Sequence, residues 1–372
     1  MNEEKNSVDE ILSRRFFVLN ACVLILLLAA IFISINQFGT KAWSSWRQVA
    51  LVIPGERNRL GWDRSQYLAV KNVCDTLDYE FILRENAPAM DYASNEKIVA
   101  DLARRGVKNI YFTNGLKLSD LKKLEKKYPL ITFCTIEIIS ALWSGGSYSI
   151  LSFEGSYLAG VLAGLHTKTN KIGYIAPYPE SEVNQGINAF TMGVKRVNPD
   201  AEVLLNWTND WDNANPEEQA VQNLKAARVD VLTYHQNDDS VPNACRRLGI
   251  NFIAYNEVYP KNKYCIASIR IDWKKVYTDL ITYRSSYALN YQNAYGVAQG
   301  VVNLEIAGQI STREKVFVET AKREIERGRI VFSGDIFDIN DVKKCSAGEA
   351  MSFQNLQKNA NWLVKGVRIV GN

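Results

Sequence analysis

Histidine is nearly missing from this chain: His166 and His235 are the only two among 372 residues. Two imidazoles this far apart provide no pair at metal-ligand spacing and little general-base capacity. The nucleophile elbow GxSxG, the zinc motif HExxH, the phosphate loop GxxxxGK[ST] and the dinucleotide loop GxGxxG are all absent, so the common short signatures of hydrolase, metalloprotease, nucleotidase and dehydrogenase chemistry are missing. The six cysteines include no CxxC pair. Cys22 falls in an apolar run, and Cys74, Cys134, Cys245, Cys265 and Cys345 are scattered, as expected of small buried hydrophobes. A Cys245–Cys265 disulfide stays open, but five is an odd number, so at least one of these thiols is free. The net charge is a mild +4, and no Lys/Arg block is interleaved with aromatics, which argues against a nucleic-acid partner. Asp238-Asp239 could hold a cation, although adjacent carboxylates on a turn are more often solvated. No cofactor, no metal and no catalytic residue is expected.

Two features stand out against this background. The first is Phe16 to Phe38, FFVLNACVLILLLAAIFISINQF, a run without a charged residue. It is long enough to cross a hydrocarbon core of roughly 30 Å as a helix. Arg14 and Arg15 precede it and favour a cytoplasmic N-terminus, with residues 48–372 exported across the cytoplasmic membrane to the periplasm or the cell exterior. An uncleaved anchor is the favoured reading; a cleaved signal peptide ending near Thr40-Lys41-Ala42 is the alternative.

The second feature is a β-α rhythm from residue 47 onward. RQVALVI, Tyr79 to Arg84, VKNIYFT and PLITFCTIEI read as strands, separated by helices over Ser65 to Leu77, Asn95 to Arg105 and Leu118 to Lys127. After Gly145-Gly146 the rhythm restarts with the small-residue helix FEGSYLAGVLAGLH, whose small face suits close packing on a sheet. KIGYIAP, AEVLLNW, VDVLTYH, NFIAY and YCIASIRI follow as strands, with helices over Glu182 to Val197, Pro216 to Ala227 and Val241 to Leu248. Lys274 to Gly308 reads as helix-rich, and Lys315 to Glu319 and Arg329 to Phe332 as β-type segments. The pattern predicts an α/β fold of two doubly wound parallel-sheet lobes around a cleft, preceded by one N-terminal transmembrane helix.

Ligands of open α/β sheets sit beyond the carboxyl ends of the strands. The segments just after strands carry aromatic rings, Trp62 and Trp211, together with Asn58, Glu137, Asn188, His235 and Asn256. Rings offer faces for stacking and amides offer edges for hydrogen bonds, the combination a flat heterocycle needs; stacking a base on an aromatic ring is worth roughly 1–3 kcal/mol.

PESEVNQGINAFTMGVKRVNPDAEVLLNWTNDW, the PEEQA helix start and VDVLTYHQNDDS resemble the basic membrane protein family. These are PnrA-like substrate-binding proteins of ABC transporters, and the adenine or purine-nucleoside branch is the nearest in pattern. The resemblance runs back to FEGSYLAGVLAGLHTKTNKIGYIAP and forward to ASIRIDWKKVY, IVFSGDIFD and WLVKGV. It implies a type I periplasmic-binding fold with three crossovers: one lobe from 48–140 plus 273–315, the other from 141–272 plus 316–372. It also implies a purine-like ligand and an ABC permease or membrane signalling partner. Trp211 matches the family's base-stacking aromatic, with Trp207 packed beneath the loop, unless both tryptophans are structural. Trp62 matches the aromatic facing the base from the other side. Glu137 lies near an acidic family position, His235 matches a family His, and Asn256 opens the stretch corresponding to G-x-D-x-D.

Departures from the pattern concern carboxylates. Asn58-Arg59 stand where the family usually has an aspartate, Val258 replaces the second aspartate of G-x-D-x-D, and Ala267-Ser268 replace Thr-Ser. Each charge-assisted hydrogen bond lost this way is worth roughly 1.5–3 kcal/mol. Arg59 either anchors an anionic ligand or points away from a neutral one. Eroded ligand chemistry together with an anchor also suits a sensor that has left transport.

Overall fold

Val49 to Ile53 are five consecutive residues with no exposed surface, the mark of a strand covered on both faces, as in a parallel sheet sandwiched between helices. Such strands build the computed structural model, which describes residues 20, 23–30, 33, 47–88, 91–136, 147–282, 293–308 and 310–371. The apolar run 16–38 lies largely outside the described residues; among those described, no helix is long and apolar enough to cross a membrane.

The first sheet contains β1 (Gln48–Val52), β2 (Glu80–Arg84), β3 (Asn109–Phe112), β4 (Thr132–Ile136), β5 (Ser147–Ile150) and β11 (Asn293–Tyr295), in the spatial order β11-β5-β4-β3-β1-β2. Every pairing in it is parallel. The second contains β6 (Lys171–Ala176), β7 (Glu202–Trp207), β8 (Val231–Tyr234), β9 (Asn251–Tyr255), β10 (Cys265–Ile271), β12 (Val302–Ile306) and β15 (Val367–Ile369), ordered β12-β10-β9-β8-β6-β7-β15. Only β12 runs antiparallel to its neighbour. The chain passes between the sheets three times, after β5, after β10 and after β11.

Two expected boundaries move accordingly. Residues 147–150, expected in the second lobe, pair in the first sheet. Residues 302–306, expected in the first lobe, pair with β10 in the second. Among the described residues, the helix-rich reading of 274–308 holds only for the helix Trp273–Thr282, since strands occupy 293–295 and 302–306. Lys315 to Glu319 are not β-type either: they lie inside the helix Thr312–Glu326. The β-prone run Val-Phe-Val there is overridden by a capping box, in which Ser311 Oγ accepts from the Glu314 N–H and Glu314 accepts from the Ser311 N–H, and by burial at Glu314, Val318, Ala321 and Ile325, a helical spacing. Arg329 to Phe332 form no strand. All five cysteines from Cys74 onward are free and buried, so Cys245 and Cys265 are not bridged.

The small-residue helix Ser152–His166 is buried nearly all round. Its face meets the sheet at Gly155, but its closest approach is to another helix, Ser181–Val197. A Cβ on Gly160 would stand 1.9 Å from the Phe190 carbonyl oxygen, and one on Gly193 2.2 Å from that of Tyr157. Glycine at both positions lets the two backbones touch. On its other side the helix Ser181–Val197 clasps the C-terminal segment: Asn184 Nδ2 donates to the Ala360 carbonyl at 2.8 Å, and Asn188 Nδ2 to that of Trp362 at 2.9 Å. The Val364 N–H in turn donates to Asn188 Oδ1 at 2.8 Å.

Overpacking of this kind costs roughly 1–3 kcal/mol, so Gly160→Ala is expected to lower unfolding stability by about that much in chemical denaturation. A stability equal to wild type would mean that the helices separate freely.

Candidate functional site

The carboxyl ends of β1, β3, β7, β8 and β9 converge on one cavity of about 730 Å³ between the lobes, within the size range of small-molecule sites. From the first lobe come Arg59, Trp62, Asp63 and the segment Thr113 to Lys117; from the second come Glu182, Asp210 to Asp212, His235, Asn237, Tyr255 and Asn256.

Trp62 opens the helix Trp62–Leu77, and the preceding Gly61 adopts a φ of 81°. A Cβ there would lie 2.5 Å from the Asn237 carbonyl oxygen, so only glycine lets the first-lobe loop rest on the second-lobe loop. The Trp62 indole N–H donates to the Thr113 carbonyl at 3.2 Å, and its ring meets Trp273 edge-on at 5.3 Å. Both contacts hold the ring against the first lobe.

The opposite wall is a row of three rings. Trp211 meets His235 at 5.8 Å in an edge arrangement, and His235 lies 4.4 Å from Tyr255. His235 is 6% exposed, and its Nδ1 has no partner. Burial pushes its pKa down to about 4, so the ring is neutral at physiological pH.

Behind this wall the turn carrying Trp211 is fastened by polar groups. Gln236 Nε2 reaches Thr208 Oγ1 at 2.8 Å, the Asp210 carbonyl at 3.1 Å and Glu217 Oε1 at 3.2 Å. The Thr208 hydroxyl also donates to the Asp210 carbonyl, and the Asn237 N–H to that of Trp211. Burial, and then the hydrogen bond to Asp238, raise the Glu217 pKa to about 9. Glu217 is therefore a neutral carboxylic acid at pH 7, able to donate to Asp238 instead of repelling it.

Of the sequence-level candidates, Arg59, Trp62, Trp211, His235 and Asn256 meet in this cavity. Asn256 takes a left-handed φ of 60°, and its Oδ1 is buried without a partner. Arg59 forms an ion pair with Asp212 of the opposite lobe. Three candidates do not join them. Asn58 is exposed and outside the lining. Asn188 is committed to the C-terminal segment, because an amide on an amphipathic helix reveals nothing about which loop meets it. Glu137 lies outside the described residues. Trp207 ends β7, packed against the core and away from the cavity lining. Sequence reasoning passed over Asp63, Thr113, Asn114 and Tyr255. The strand-end rule could have found Tyr255 and the Thr-Asn-Gly after VKNIYF. Among the described residues, no group of three or more His, Cys, Asp or Glu side chains is placed to hold a metal ion.

Two doubly wound lobes closing on an aromatic, polar-edged cleft define a periplasmic-binding-type solute receptor. The family model of ABC transporter substrate-binding proteins, PnrA-like, matches residues 46–331, and the chain belongs to that family. Members of such a family bind small solutes and work with ABC permeases. A purine-binding protein of Brucella abortus (strain 2308) is 26% identical over 330 residues, covering 86% of this chain and 92% of that protein. The transcriptional activator protein Med of Bacillus subtilis (strain 168) is 25% identical over 192 residues, half of this chain and 57% of that one. Among solved structures, a transcriptional activator of the comK gene from Bacillus halodurans superposes with a TM-score of 0.66 at 19% identity, covering 76% of this chain and 99% of its own. An ABC solute-binding protein from Aeropyrum pernix K1 gives a TM-score of 0.64 at 14% identity, covering 84% and 98%.

Two of the buried titratable groups, His235 and Glu217, tilt stability in opposite directions. His235 resists protonation down to about pH 4 in the fold, whereas in the unfolded chain it accepts a proton near 6.5. Stability is therefore intact above that value and is lost on acidification toward pH 4, by about 3 kcal/mol at most. Glu217 keeps its proton to about pH 9, so its contribution is intact below its ordinary carboxyl range and declines as pH rises toward 9. Denaturant titrations across pH are expected to show that His235→Gln flattens the slope between pH 6.5 and 4.5, and that Glu217→Gln removes the decline above neutrality. Variants with wild-type slopes would mean that neither group is held neutral.

A separate expectation follows for Asn188. Asn188→Ala strands the Val364 N–H and is expected to cost roughly 1–3 kcal/mol in stability, with ligand affinity unchanged in calorimetry. Loss of affinity in a fully folded variant would return Asn188 to the site.

Proposed function

We propose that this protein is the membrane-anchored, extracytoplasmic solute-binding component of an ABC transporter, that its cleft takes a purine base or nucleoside, and that it is not an enzyme. The observation that carries the reading is the pairing of Trp62 from one lobe with Trp211 from the other on a single cavity whose remaining lining is largely polar. A planar base has two faces for such rings and an edge of donors and acceptors for Asn114, Asn237 and Asn256. The relative named for purine binding, matched over 92% of its length, supports the same ligand class. The charge-free run 16–38 behind Arg14-Arg15 supports an anchor with residues 48–372 exported.

A sensor with the same cleft is the second reading. It is favoured by the missing family carboxylates at Asn58-Arg59 and Val258, and by a relative named as a transcriptional activator.

Isothermal titration of the full chain in detergent is expected to show binding of adenine or a purine nucleoside, and none of glucose, ribose or free amino acids. Absence of heat with every purine would sink the ligand assignment. The anchor is tested apart from it: the protein is expected to stay with membranes through an alkaline carbonate wash, whereas release, with a mature N-terminus near Trp43, would refute it.

A further inference from the structure

We propose that Arg59 and Asp212 form a latch between the lobes that holds the cleft together without ligand and reserves it for ligands bearing no anionic group. The inference rests on the reading of this cavity as a small-molecule site. Among the lining residues only Arg59 and Lys117 are cationic, against the carboxylates Asp63, Glu182, Asp210 and Asp212. Lys117 is exposed. The Arg59 guanidinium is engaged by Asp212; burial raises the Asp63 carboxyl above its ordinary range, and Arg59 offsets part of that rise. A phosphate or carboxylate meeting Arg59 in the cleft would have to take it from Asp212 and leave that carboxylate, with its neighbours, unpaired. An uncharged heterocycle requires neither step.

The same pair joins the two lobes within the cavity lining. The Arg59 N–H donates to the Glu56 carbonyl at 3.0 Å, and the Asp212 N–H to Asp210 Oδ1 at 3.3 Å. Each partner is therefore presented by a loop braced within its own lobe. Gly61 lies against Asn237 two residues away, so the lobes touch at this rim. Side-chain exposures of 48% and 23% leave the pair within reach of salt, so the latch is weak and reversible. A receptor that must open to load and unload requires that.

The test uses the full chain in detergent in a Cys22→Ser background, with a dye pair on Thr76→Cys and Lys225→Cys, exposed positions on helices of opposite lobes. Without ligand, Asp212→Asn or about 0.5 M salt is expected to lengthen the inter-dye distance, and the exchange Arg59→Asp with Asp212→Arg to restore it. In parallel, adenosine and adenosine 5′-monophosphate are titrated. Wild type is expected to favour adenosine by about tenfold or more. Asp212→Asn, which frees Arg59, is expected to gain affinity for the monophosphate several-fold, and Arg59→Gln is not. An inter-dye distance indifferent to Asp212→Asn and to salt overturns the latch, and equal wild-type affinity for both ligands overturns the charge selection. Should wild type bind neither purine, the ligand assignment fails, and the ligand-free distance then decides the latch on its own.

Discussion

The primary amide of Gln236 is the joint on which the second wall of the cleft depends. Its two N–H groups are shared among Thr208, the Asp210 carbonyl and Glu217, which belong to the turn after β7 and the helix after it, while Gln236 itself follows β8. One side chain thereby ties two strand ends and a helix start together. The Trp211 turn has little apolar surface of its own to bury, so without these bonds it would have several loop conformations of similar energy. A neutral Glu217 is part of the same joint: an ionised one would repel the neighbouring Asp238.

This joint explains why the segment NWTNDWDNANPEEQA places two tryptophans among amides and carboxylates. Trp207 belongs to the strand, and its ring packs against the core outside the cavity lining. Trp211 belongs to the turn and its ring is part of the cleft. The polar residues between them are the fastening. They make the site less charged than its composition suggests, since the imidazole is neutral, one glutamate is protonated and the arginine is paired.

Much of the architecture was legible in the sequence because burial leaves a mark there. Runs such as ALVI, YIA and FIAY name buried parallel strands, and the rule that ligands lie beyond strand ends led to Trp62, Trp211, His235 and Asn256. What stayed illegible has no local signal. Lys315 to Glu319 carry the β-prone run Val-Phe-Val, and only the cap at Ser311 and the helix packing decide otherwise. β5 and β12 are short strands beside the crossovers, and their sheet is chosen by distant partners. Asn188 has the composition and placement of a ligand-binding amide, yet its partners lie 174 and 176 residues away. Arg59 read either as an anion anchor or as a bystander until its partner Asp212 was found across the cleft.

The clasp of Asn184 and Asn188 on the C-terminal segment has a consequence for biogenesis. β15 extends the second sheet beside β7, so one edge strand of that lobe is synthesised well after β6 to β9. Until it arrives, the edge of β7 carries unpaired backbone groups, and the helix Ser181–Val197 exposes amides meant for the tail. Such an edge is a template for pairing with other chains. A nascent molecule in this interval is open to such pairing, and loss of β15 would make the interval permanent.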